Sequence, residues 1–185
     1  NKELLKHSSD FPQQNADLVL KSLQKLDQNE LKVLRHASVI GMRFLTGLLP
    51  QDSLDADVLS KLMTRSLEAG ILVQSWSHHT IYKHGRAYEF AHSSIRDTIY
   101  NEIPKDERSE FHFECAAKIE DMLESKDDAT KIALAHHYSI AAESSAATES
   151  TLQKALSYAH FAAKISVANA AYLAADRYYT CLLYT

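Results

Sequence analysis

Between Leu31 and Tyr100 the spacing of apolar residues changes period twice, from helical to strand-like and back. No other feature of the chain constrains its fold as tightly. Asp27 can cap a helix, and Glu30 stands three residues on, where a carboxylate can bond the cap's own amide. Leu31, Leu34, Ala37, Ser38 and Ile40 then follow helical spacing as far as Gly41, a fitting stop. Residues 44–49 read as a short apolar helical turn ended by Pro50. A further helix starts at Asp55 or Asp57, keeps Val58, Leu59, Leu62, Met63 and Leu67 on one face, and ends at Gly70. Residues 71–76 are rich in β-branched and large apolar side chains and read as a strand, with 88–91 as its partner. The polar stretch between them carries His78, His79, Lys83, His84 and Arg86. Ser93 or Ser94 opens another helix through Ile95, Ile99 and Tyr100 to Ile103, and Pro104 halts it.

Helix, helix, strand, loop, strand, helix is the order of a winged helix with a two-stranded β-wing. Beyond it every segment has helical wording. Phe111, Cys115, Ile119 and Met122 mark one helix, and Ile132, Ala135, His136 and Ser139 mark the next. After a small, polar linker at 144–150 come two alanine-rich helices, over about 152–166 and 169–184. Ala155, Ala159, Ala162, Ala171, Ala174 and Ala175 occupy their packing positions, with tyrosines such as Tyr158 and Tyr172 as large partners. Small residues facing large ones let paired helices stack closely, in the manner of a tetratricopeptide repeat, although the Trp-Leu-Gly wording of that repeat is absent. The fold class expected is therefore mainly α: a winged helix followed by TPR-like helical hairpins. The organisation expected is 1–26, 27–104 and 105–185.

Composition adds exclusions. Four Gly and three Pro in 185 residues leave room for few tight turns, and a net charge of −4 gives no overall pull toward nucleic acid or an anionic surface. No run of roughly 18 apolar residues is present to span a membrane. Cys115 and Cys181 both lie beside alanines in helical patterns and read as buried free thiols in a reducing compartment. The chain opens and closes inside helical wording, so both ends are expected to be cuts within a larger protein.

Four phrases in order carry a family resemblance. They are Leu34-Arg35-His36-Ala37-Ser38-Val39-Ile40-Gly41-Met42-Arg43-Phe44; Leu67-Glu68-Ala69-Gly70-Ile71-Leu72; Tyr88-Glu89-Phe90-Ala91-His92-Ser93-Ser94-Ile95-Arg96-Asp97-Thr98-Ile99-Tyr100; and Arg108 with His112, Ala116, Ala117 and Glu120. Together they resemble the region after the P-loop core in STAND-type (AAA+/NB-ARC-like) multidomain signalling ATPases. Such regions occur in soluble adenylyl cyclases, multidomain kinases and large transcriptional activators. The resemblance implies that residues 1–26 end the helical lid of an upstream ATPase core, and that ATP or ADP binds in that core. This chain has no Gly-x-x-x-x-Gly-Lys-[Ser/Thr], so it would carry no cofactor and no catalysis of its own. It would be a cytoplasmic relay whose partners are the upstream ATPase domain and proteins held by the helical repeats. Neither nucleic acid nor membrane is an expected partner. A DNA-binding winged-helix regulator and a non-catalytic helical scaffold are the alternatives.

His92 is the first candidate site residue. In related ATPases a Met-His-Asp motif at this strand-to-helix junction places a histidine on the phosphates of ADP; here the wording is Ala91-His92-Ser93. Helix N-terminal amides and an imidazole together suit an anion. The plainer reading makes His92 a cap for its helix. Arg96, one helical turn on, is the second nucleotide-sensing candidate, with a surface ion pair as its plainer reading. Arg108 and His112 are expected to pack against the winged-helix body. The helix after Asp57 offers Lys61 and Arg65 but also Glu68, a thin basic footprint for DNA. The adjacent His136 and His137 diverge by about 100° on a helix and cannot share one ion in the usual way.

Overall fold

The computed structural model describes residues 26–50, 55–74, 85–122 and 127–171, with isolated positions at 21, 23, 173, 176 and 178. These are mainly helical, with a small antiparallel sheet. The chain separates into two units, residues 1–103 and 104–185. Most of the expected lid remnant (1–26), the stretch at 75–84 with its histidines, and most of the last alanine-rich helix with Cys181 lie outside the described residues. No helix among the described residues is long and apolar enough to cross a membrane.

In the first unit α1 (Gln28–Ile40) begins with the reciprocal cap that the sequence implies. Asp27 Oδ1 accepts the Glu30 amide at 2.8 Å, and Glu30 Oε2 accepts the Asp27 amide at 3.0 Å. Both donors would otherwise be orphaned at the helix end. The chain then runs through β1 (Arg43–Leu45), a 3₁₀ turn (Thr46–Leu48), α2 (Ala56–Glu68), β2 (Leu72–Gln74), β3 (Ala87–Phe90) and α3 (Ser93–Asn101). Leu34, Phe44, Leu62, Leu72, Phe90 and Ile99 are among the side chains that fill the core of this unit.

The sheet has three strands in the order β1-β3-β2, which corrects the expectation of two. β3 is central, with Phe44 opposite Tyr88 on one side and Leu72 opposite Phe90 on the other. Residues 44–49 are thus only partly a helical turn: Phe44 and Leu45 are strand, and the turn starts at Thr46. The physical reason is the aromatic side chain. As strand, Phe44 stacks on Tyr88 with ring centroids 6.0 Å apart and lies 5.8 Å from Phe90. The pairing also gives the outer edge of β3 a backbone partner. Across the same ladder Arg43 Nε meets Glu89 Oε2 at 2.8 Å.

α2 ends in a Schellman motif. The Ile71 amide reaches back to the Ser66 carbonyl at 2.9 Å and the Gly70 amide to Leu67 at 3.0 Å, with Gly70 at φ +67°. In the second unit α6 (Glu149–Ala168) closes with the same pair of bonds, Ala171 to Ser166 and Ala170 to Val167, but there the left-handed position holds an alanine, Ala170, at φ +56°. Glycine accepts this conformation without steric cost and alanine does not. Reciprocal substitutions test the point. Ala170→Gly is expected to stabilise the second unit by about 1 kcal/mol and Gly70→Ala to destabilise the first by a similar amount. A Cβ at Gly70 would meet no atom within 4 Å, so the change there is a backbone effect alone. Urea denaturation of the two variants is the check, and shifts of the same sign would contradict it.

The second unit holds α4 (Lys105–Met122), α5 (Asp128–Ala141) and α6, with α4 packed on α5 and α5 on α6. Asp127 Oδ1 caps α5 through the Thr130 amide at 2.8 Å, and Thr148 Oγ1 caps α6 through the Thr151 amide at 3.2 Å. Ala155, Ala159 and Ala162 are buried, as their spacing implies, and Ala163 joins them. Ala171 does not: it stands exposed beyond the helix end.

Candidate functional site

β3 runs almost directly into α3, and His92 occupies the junction. The Ala91 amide donates to the Ile71 carbonyl at 3.0 Å, which pins the residue before the junction to the segment that enters β2. His92 is extended, at φ −145° and ψ 148°, and its carbonyl accepts the amides of Ile95 at 3.1 Å and Arg96 at 3.3 Å. The imidazole makes no capping bond and is exposed. The backbone of His92, not its side chain, therefore caps α3. The first amides of that helix have no side-chain cap, and they carry the positive end of its dipole beside the ring.

Arg96 is differently placed. Its Nε donates to the Ser38 carbonyl at 2.7 Å, its Nη1 to Asp97 Oδ1 at 3.0 Å, and its guanidinium lies 4.4 Å from the centre of the Tyr100 ring. These contacts tie α3 to the end of α1. The two candidates lie four residues apart, yet one is exposed and the other is held inside its own unit.

The exposed surface of α2 offers little to a polyanion. Arg65 Nη1 donates to Glu30 Oε1 at 2.5 Å, so this cation serves the capping box of α1. Lys61 remains exposed, accompanied by Asp57 and Glu68.

Two polar clusters tie the helices of the second unit. His112 of α4 and His137 of α5 are buried, with their Nδ1 atoms 2.9 Å apart, so one ring donates and the other accepts. The Cys115 Sγ lies 3.6 Å from Nε2 of His137. Burial, only weakly opposed by Lys118, pushes the Cys115 thiol up to about 12, which leaves it a neutral S–H group without nucleophilic character at ordinary pH. That thiol can donate to Nε2 of His137, and His137 then donates from Nδ1 to His112. Cys115 is free and buried, as its alanine neighbours imply. His112 packs against His137 and lies 5.4 Å from the His136 ring. Among the described residues no group of three or more His, Cys, Asp or Glu side chains is arranged to hold a metal ion.

The second cluster centres on Glu120. Its Oε2 accepts from Tyr138 Oη at 2.6 Å and Lys154 Nζ at 2.6 Å, and its Oε1 accepts from Tyr158 Oη at 2.7 Å. The two tyrosine rings stack at 5.8 Å, inclined by 3°. Burial raises the Glu120 carboxyl, but the bonds from Lys154, Tyr138 and Tyr158 outweigh it and hold the group down at about 2. Burial, followed by the bond to Glu120, pushes the Tyr158 hydroxyl up to about 12 and raises that of Tyr138 as well.

A groove of about 460 Å³ opens in the same unit, between the first turns of α4 and the connection from α5 to α6. Phe113 and Ala141 are among its apolar lining, and Asp106, Glu107 and Glu110 supply carboxylates.

No family model, curated protein or solved structure matches the chain. Of the features above, the sequence marked His92 and Arg96 as the nucleotide-sensing candidates. The histidine pair joins positions 25 residues apart and the Glu120 cluster positions up to 38 apart, on different helices, so no local spacing could reveal either.

Proposed function

We propose that this chain is the relay part of a STAND-type signalling ATPase, coupling the nucleotide state of an upstream P-loop core to partner binding by its helical half. In this reading the first unit is a winged helix and the second begins a TPR-like array. The element order and the antiparallel sheet with β3 at its centre support the former. The consecutive packing of α4, α5 and α6 over a row of small residues supports the latter. The four phrases that resemble the ATPase family link the two. One observation carries the functional step: an exposed imidazole, unused as a cap, beside the N-terminal amides of α3. That pairing suits a phosphate of ADP held in the neighbouring core. Arg96 then acts indirectly, by fixing α3 against α1 through Ser38. The chain itself contributes no catalysis. It is a two-state element whose equilibrium is biased by nucleotide at one end and partner at the other.

The test uses the longer polypeptide containing this chain and its upstream P-loop. There His92→Ala is expected to weaken ADP binding about tenfold, or ~1.4 kcal/mol, measured by titration calorimetry. Unchanged ADP affinity, or an upstream region with no P-loop, would overturn the reading.

A further inference from the structure

The groove at the start of α4 has a composition that a packing defect would not explain. Its buried floor is small, with Ser109, Ala141 and Thr151 almost fully covered. At its edge stands Phe113, 43% exposed although its neighbours on α4 are packed. That ring is not loose: it meets Tyr138 edge-on at 6.4 Å and 69°. A fixed aromatic side chain beside a buried, small-residue floor can grip one large apolar group, and 460 Å³ lies within the range of sites that do so.

The charge around it is one-sided. Asp106, Glu107 and Glu110 line the groove, and among its described lining residues none is a lysine or arginine. Acidic residues in a first helical turn are ordinary companions of the helix dipole, but Glu110 lies beyond that turn. The neutral polar groups nearby are already used by the connection from α5 to α6. Ser144 Oγ accepts the Ala146 amide and Thr148 Oγ1 accepts the Thr151 amide. Recognition then falls to the carboxylates of Asp106 and Glu110 and to the apolar surface of Phe113 and Ala141.

We infer that this groove docks a short basic amphipathic segment of a partner protein, one large apolar side chain entering beside Phe113 with flanking lysine or arginine on the acidic rim. The inference rests on the reading of the helical unit as the partner-binding half, but not on His92 or on any nucleotide. Charge complementarity selects this occupant, because an acidic segment would meet the like charges of Asp106 and Glu110.

The test uses the full 185-residue chain and fluorescein-labelled synthetic peptides of roughly four helical turns. One carries leucine and phenylalanine four residues apart among lysines, and its control carries glutamates in place of the lysines. Fluorescence anisotropy is expected to show the basic peptide binding with a Kd of about 10 μM and the acidic one not binding. Raising salt from about 0.05 M to about 0.5 M should weaken the complex by about tenfold. Phe113→Ser, the pair Glu107→Lys with Glu110→Lys, and Ala147→Trp, which fills the groove, should each weaken it about tenfold while far-UV circular dichroism is kept. No binding of the basic peptide, equal binding of both peptides, or binding indifferent to Ala147→Trp and to the charge reversal would overturn the proposal. An unchanged ADP affinity in His92→Ala removes the relay and leaves this surface standing; failure of peptide binding removes the surface and leaves the nucleotide contact standing.

Discussion

Glu120→Ala is expected to lower the stability of the helical unit by about 3 kcal/mol, an effect on the scale of a large core truncation. The carboxylate is the shared acceptor for three donors from two other helices. Lys154 and Tyr158 are partly exposed and can turn to water when it is lost. Tyr138 cannot, because its side chain is wholly buried and, among the described residues, Lys154 at 3.2 Å is the hydrogen-bond partner that remains for its hydroxyl. Much of the loss should therefore fall on that tyrosine. Glu120→Gln keeps one acceptor without the charge and should cost about half as much.

The pH dependence follows from the same bonds. The folded Glu120 carboxyl sits at about 2, below its ordinary 4.5, so its contribution is complete above 4.5 and is lost as pH falls toward 2. The Tyr158 hydroxyl is shifted the other way, from 10 to about 12, so its contribution is complete below 10 and is lost as pH rises toward 12. Urea midpoints of wild type and Glu120→Gln should accordingly converge as pH is lowered from 4.5 to 2. A gap that stays constant across that window would show that the charge is not what the tyrosines and lysine respond to.

The second large effect belongs to the buried histidines. His137→Leu leaves Nδ1 of His112 and the Cys115 thiol without the ring that now links them, in a site from which solvent is excluded. A loss of about 2–3 kcal/mol is expected, and the same for His112→Leu, because an orphaned buried polar atom costs its full desolvation. The double variant is the sharper measurement. With both rings replaced by apolar groups neither Nδ1 atom is left facing a missing partner, and only the weak thiol contact to His137 is lost, so the double variant should cost no more than the worse single variant. Additive losses would mean that the two rings contribute by packing alone.

How far this molecule could be read from its sequence differs from element to element. The capping box at Asp27 and Glu30 was legible because its partners lie three residues apart and nothing distant competes. The boundaries of α2 and α3 were legible for a similar reason: glycine and proline act locally. β1 was not, since three residues are too few to show alternation and its reason to be extended is Tyr88, more than forty positions away. His92 was found because its junction is a sequence feature. Its freedom from capping could be seen only once the backbone carbonyl was placed as the acceptor. Glu120 lies on a helix whose charges show no clear stripe, and only the assembled bundle marks it as central.

The sheet also fixes an order of events during synthesis. β3, the strand that joins the other two, is the last of the three to leave the ribosome, and Glu89 follows its partner Arg43 by 46 residues. At ordinary elongation rates of roughly 5–20 residues per second, β1 waits about 2–9 seconds for its partner. During that interval Phe44 is without the aromatic rings that later cover it. The nascent chain is most open to holding chaperones, and to mispairing with another copy, in the seconds before residue 90 emerges.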